Sequence, residues 1–176
     1  MPRKDILANL RGGDRRSLGR ANQIADLVSK NPSLFPQLIA GLWSEDPIVC
    51  MRSADAAEKV TRNHPRLLQP YKKELLGLMA EAQQIELRWH LCAIAIRLTL
   101  NAQERQTVIT LLHRYLEGRS SIVKTFALQA LADLAQDDSE TRPEVIEILH
   151  SAARSGTPAM KARSRKLILN LERTSN

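Results

Sequence analysis

Residues 34–60 read LFPQLIAGLWSEDPIVCMRSADAAEKV and carry two helices with the turn between them. Leu34, Leu38 and Leu42 recur every four residues, which places them on one face of an α-helix. Asp46-Pro47 then marks a new helix start. The carboxylate can accept from a free N–H of the first turn, and Pro at the first helical position loses no needed donor.

The same punctuation recurs along the chain. Asn31-Pro32 and Thr157-Pro158 offer a cap followed by Pro, and Pro65 and Pro143 also sit at helix starts, with Ser139 and Thr141 competing to cap the latter. Asp14, after the Gly12-Gly13 pair, reads as a further N-cap. Leu128, Leu131 and Leu134 with Ala127 and Ala130 form another apolar stripe. The pattern predicts ten helices, five near 3–11, 32–43, 65–81, 102–117 and 140–154. Each is followed by a second helix, near 14–30, 46–62, 84–100, 119–136 and 157–173. Short connections make the members of each pair antiparallel neighbours.

The pairs repeat. VITLLHRYL from Val108 returns as VIEILHSAA from Val145, 37 residues on, so that His113 lands on His150. Ile39 to Leu42 returns as Leu75 to Leu78 at a spacing of 36. An independent register runs through Arg16, Arg52, Arg88 and Lys124 at steps of 36, with Lys161 after 37. Two registers of different chemistry thus agree on a period of 36–37 residues. A two-helix unit cannot bury its apolar face alone, so stacking is required. The fold class expected is all-α, a single domain over residues 1–176, with repeats near 3–30, 32–62, 65–100, 102–136 and 140–173.

Composition agrees. Of 176 residues, 43% are hydrophobic, with 26 Leu and 20 Ala but only two each of Phe, Trp and Tyr. That favours helices over sheet and excludes collagen, a disulfide scaffold and a β-barrel. Cys50 and Cys92 stand alone inside helical patterns and read as small hydrophobes. The N-terminus lacks the apolar stretch of a signal peptide, and the longest apolar run, from Leu91 to Ile96, is far short of the ~20 residues that span a bilayer. A cytoplasmic chain without a membrane role is expected.

Residues 34–60 resemble a HEAT repeat. Leu34, Pro36 and Leu38 match the opening of the family's first helix, Asp46-Pro47 its turn, and Arg52 with Ala54, Ala56 and Ala57 its second helix. The third repeat keeps Leu68, Pro70 and Arg88 but lacks the Asp, and the last two keep the basic position and the stripes. The resemblance implies a right-handed α-solenoid of about five antiparallel pairs, an armadillo-type superhelix, with the second helices lining a concave face. It also implies that Asp46 and Arg52 join a ladder of hydrogen bonds between repeats. For Arg88, Lys124 and Lys161, which lack the matching Asp, a ligand is the alternative.

The net charge of +7 comes from 26 basic and 19 acidic residues. The second-helix spans hold 16 basic and 8 acidic residues, while everything else holds 10 and 11, so the excess belongs to one layer. Arg15, Arg16 and Arg20 cluster near the start, and Lys161, Arg165 and Lys166 near the end. With Arg52, Arg88 and Lys124 they are the candidate binding residues, suited to an acidic protein or a phosphate backbone. Charged terminal repeats also serve as solvent-facing caps of a solenoid.

No Gly-rich phosphate loop, Cys-x-x-Cys or His-Glu-x-x-His spacing occurs, and no cofactor or metal is expected. Some HEAT-like proteins are alkylpurine DNA glycosylases that use an Asp with flanking Trp residues. Trp43, Asp46 and Trp89 echo that set, but Asp46 reads as a cap and Trp43, at the end of an apolar stripe, as core. The expected function is a non-catalytic scaffold or adaptor that binds a protein partner. DNA binding through the basic face is the alternative, and a glycosylase the remote one.

Overall fold

A computed structural model describes residues 5–14 and 16–173, and among these there is no strand. Among the described residues nine α-helices account for the architecture, in two compact units, Met1–Thr99 and Leu100–Asn176.

The first unit contains α1 (Ala21–Lys30), α2 (Phe35–Ala40), α3 (Pro47–Asn63), α4 (Lys72–Glu81) and α5 (Ile85–Ala95). Here α1, α3 and α5 pack on one another in succession, and α2 and α4 each pack on the helix that follows. The middle helix, α3, is enclosed. Val49, Cys50, Met51, Ala54, Ala56, Ala57 and Val60 are all buried. The small side chains let neighbouring helices approach on several sides. Asp46 caps α3 as expected, its Oδ1 accepting from the N–H groups of Ile48 (2.9 Å) and Val49 (3.4 Å).

The second unit contains α6 (Ala102–Glu117), α7 (Ser121–Ala135), α8 (Arg142–Ser155) and α9 (Pro158–Arg173). The pairs α6–α7 and α8–α9 are joined by short turns, and α7 also packs directly on α9. Asn101 and Glu104 form a capping box at the start of α6, and Ser120 caps α7. These four helices begin and end within two residues of the expected bounds.

The expected bounds fail near the start of the chain. Residues 3 and 4 of the helix expected over 3–11 lie outside the described residues, and the rest holds one 3-10 turn, Ala8–Leu10, with Asp5 Oδ1 accepting from the N–H groups of Leu7 and Ala8. Gly12 and Gly13, at φ +73° and +82°, end it. Asp14 makes a turn rather than a cap, accepting from Arg16 N–H, and α1 waits until Ala21. Prolines divide two other spans. The region 32–43 is a short α2 between 3-10 turns, with Pro36 in its first turn. Pro70 holds Pro65–Tyr71 as a 3-10 run before α4, because its ring and missing N–H oppose α-helix there. Neither Ser139 nor Thr141 caps α8. Asp138 instead accepts from the N–H groups of Glu140 and Thr141 and from the Thr141 hydroxyl.

Side chains bridge positions about one repeat apart within each unit. Lys59 Nζ donates to Asn22 Oδ1 across 37 residues, Arg97 to Thr61 Oγ1 across 36, Gln84 Nε2 to Pro47 O across 37, and Arg163 to Gln129 Oε1 across 34.

Candidate functional site

The basic residues of the second helices divide by how their charge is used. In the first unit most are engaged within the fold. Arg52, on α3, is 3% exposed, and its guanidinium donates to the carbonyls of Gly12 (2.7 Å), Leu10 (2.8 Å), Ser17 (3.1 Å) and Asp14 (3.3 Å). The Asp46–Arg52 ladder implied by the resemblance therefore takes another form. The carboxylate caps its own helix, and the cation gathers the loop that precedes α1. A cation held by carbonyl dipoles keeps the loop shaped around it, and Arg52 is a positioning residue with no surface to offer a ligand.

Arg88 is likewise directed at its own turn, donating to Ala82 O (2.7 Å) and Gln83 Oε1 (3.1 Å). Arg20 donates to Gln23 Oε1 and Asn9 Oδ1. Arg16 is exposed in the loop before α1, and Arg15 lies outside the described residues.

Two buried carboxylates organise the contact of α3 with its neighbours. Asp55 is bound by Lys59 Nζ at 2.6 Å, and His90 Nε2 stands 3.5 Å away, an ion-pair distance rather than a hydrogen bond. Glu58 takes Arg62 at 2.6 Å and Arg97, in the turn after α5, at 2.5 Å. Burial pushes both carboxyls up. The partners outweigh it, His90 and Lys59 for Asp55 and Arg62 and Arg97 for Glu58, and both end below their usual pKa values. This network was not read from the sequence. Its signal is the recurrence of polar residues one period apart, such as Asn22 with Lys59.

In the second unit the cations are left over. Lys124 on α7, and Lys161, Arg165 and Lys166 on α9, have no side-chain hydrogen bond or ion pair among the described residues, and neither has Arg119, just before α7. Only Arg163 of this group is engaged, with Gln129. Lys161, Arg165 and Leu169 follow at four-residue steps and form one stripe, and Leu169 is 54% exposed. Ile122, on the first turn of α7, is 45% exposed. Four of the sequence-predicted residues thus lie in the second unit, as do Arg119 and the exposed Ile122 and Leu169. Sequence counting included Arg119 in the layer but did not single it out, because it lies in a turn and outside the basic register.

The other candidates resolve into structural roles. Trp43 is not core. It is 47% exposed, because α2 gives way to the 3-10 turn Gly41–Trp43 and the apolar stripe ends at Leu42. Trp89 stacks on His90 with ring centroids 3.5 Å apart. His113 Nε2 lies 3.7 Å from Glu144 Oε1, and no group of three metal-ligating side chains occurs among the described residues. Cys50 and Cys92 are buried and free, and burial raises their thiols to about 11 and about 12. No helix among the described residues is long and apolar enough to cross a membrane.

Compared with known proteins, the chain matches no family model, no curated protein and no solved structure.

Proposed function

We propose that the chain is a HEAT-like α-solenoid acting as a non-catalytic scaffold or adaptor, and that it docks a protein partner through its second helices. The observation that carries this reading is the mixed surface of α7 and α9. Lys124, Lys161, Arg165 and Lys166 lack partners among the described residues, while Ile122 and Leu169 are exposed beside them in sequence. Unpaired cations with exposed apolar side chains suit an acidic protein surface that has apolar anchors of its own. The direct packing of second helix on second helix in each unit supports the solenoid. The period of 36–37 residues and the HEAT-like residues 34–60 support the family.

DNA binding through the same cations is the second reading, favoured by their number and lack of partners. Titration of duplex DNA against salt separates the two. A phosphate-binding face loses about 0.9 log units of affinity per log unit of salt for each phosphate neutralised. A protein-docking face retains DNA weakly and only at low salt. Tight DNA binding with a steep slope, lost on Lys161→Glu/Arg165→Glu, would overturn the protein-docking reading.

A further inference from the structure

The second unit contains a cavity of about 390 Å³ where its two helix-pair turns lie side by side. Leu116 comes from the end of α6, Arg119 from the turn before α7, and Ser121, Lys124 and Leu128 from the first half of α7. Ile148, Ser151, Ala152 and Ser155 come from the end of α8, and Thr157 and Met160 from the start of α9. The lining is chemically sorted. Leu116, Leu128, Ile148, Ala152 and Met160 supply an apolar wall, whereas Arg119 and Lys124 supply positive charge, and no carboxylate lines the space.

The positive field comes from the side chains rather than from helix ends. Two helices end at this edge and two begin, so their terminal partial charges oppose one another. Several local polar groups are already used. Ser120 accepts from Val123 N–H, Thr157 from Met160 N–H, and the Ser155 hydroxyl donates to Ser151 O. Arg119, Lys124 and the hydroxyls of Ser121 and Ser151 have no partner among the described residues. Donors without acceptors around an apolar wall are the lining of a site for an anionic, partly apolar ligand.

We propose that this cavity binds a small amphipathic carboxylate. The carboxylate lies between Arg119 and Lys124, within reach of Ser121 or Ser151, and an aliphatic body covers Leu128, Ile148, Ala152 and Met160. A medium-chain carboxylate such as octanoate is small enough for a space of about 390 Å³. The site lies wholly within the second unit and stands whether or not the second helices dock a protein.

Octanoate is the probe, with octanol and octylammonium as matched controls, titrated into the full chain while amide resonances are followed by NMR. Octanoate is expected to shift Ser121, Lys124 and Ser155 to Met160 saturably. Octanol should bind at least about tenfold more weakly, because a hydrogen bond to a charged group is lost, and octylammonium more weakly still. Arg119→Met/Lys124→Met should reduce octanoate affinity about tenfold or more with an unchanged melting temperature, since Arg119 is exposed and Lys124 half-buried. Ser151→Trp, at an exposed lining position, should block octanoate by filling the space. Octanol binding as tightly as octanoate, undiminished affinity in the double variant, or shifts that do not saturate would each overturn the proposal.

Discussion

Arg52→Met removes a buried cation whose role in the fold is unusually well defined. Its guanidinium holds four carbonyls of residues 10–17, and the bonds to Gly12 and Leu10 are the short ones, at 2.7 and 2.8 Å. A hydrogen bond to a charged group contributes about 1.5–3 kcal/mol, but four on one head are not additive, and freed loop carbonyls can turn to water. The two short bonds therefore set the scale, at about 3–5 kcal/mol, from about 1.5–3 kcal/mol for each hydrogen bond to the charged group. Ile6 and Leu10, both fully buried, are secured by the same segment, so loosening it also exposes apolar surface. Both tryptophans, Trp43 and Trp89, lie in the first unit, so intrinsic fluorescence follows that unit alone. With a urea slope near 2 kcal/mol/M, the midpoint should fall by about 1.5–2.5 M. Hydrogen exchange of residues 6–19 should accelerate first. Arg52→Lys should recover only part of the loss, because an ammonium on a flexible stem cannot reproduce the planar fork. A midpoint within about 0.3 M of the parent for Arg52→Met, with unchanged exchange in that segment, would refute the reasoning.

Three further outcomes follow from the same packing. Gly41→Ala places a methyl against Ser53 Oγ and 2.8 Å from Leu7 Cδ2, so α2 must lift from α3. The cost should be about 1–3 kcal/mol by urea denaturation followed by tryptophan fluorescence, and a neutral result would mean the interface yields. Asp55 and Glu58 have lowered pKa values in the folded chain and so bind fewer protons there than when unfolded. Their stabilisation is complete above the unfolded values and disappears as pH falls through the folded ones. Melting of the first unit should be flat from about pH 7 to 5.5 and fall progressively in acid, with a shallower fall in Glu58→Gln. Cys50 and Cys92, with thiols raised to about 11 and about 12, should resist a thiol reagent at pH 8 until urea unfolds the chain. Labelling of the native protein at the rate of a free thiol would contradict their burial.

Much of the fold was legible because helix punctuation is local. Asp46-Pro47 and Thr157-Pro158 carry their meaning within a few residues, and the helices they open begin where expected. Asp14, after Gly12-Gly13, also reads as a cap, yet no helix starts there. Gly19 adopts φ +50° in contact with the Arg52 guanidinium, and that constraint is set 33 residues away. Trp43 misled because it directly follows a helical stripe, while its exposure depends on a tightening of the last turn. The site was legible only in part for a related reason. Counting charge located the basic layer. Whether a given cation is free depends on partners about one period distant, such as Thr61 for Arg97 or Asn22 for Lys59. Such partners engage Lys59 and Arg97 in the first unit, whereas Lys124, Lys161, Arg165 and Lys166 of the second have none among the described residues.

The docking surface can be tested by placing a photo-crosslinking residue in the full chain at Ile122, at Leu169 or at Gln106, the last an exposed position on α6. In host lysate, the first two positions should yield the same protein adduct, insensitive to nuclease and lost when Lys161→Glu/Arg165→Glu is added. Gln106 should yield none. Adducts from Gln106 alone, or adducts at Ile122 and Leu169 abolished by nuclease, would contradict protein docking through the second helices.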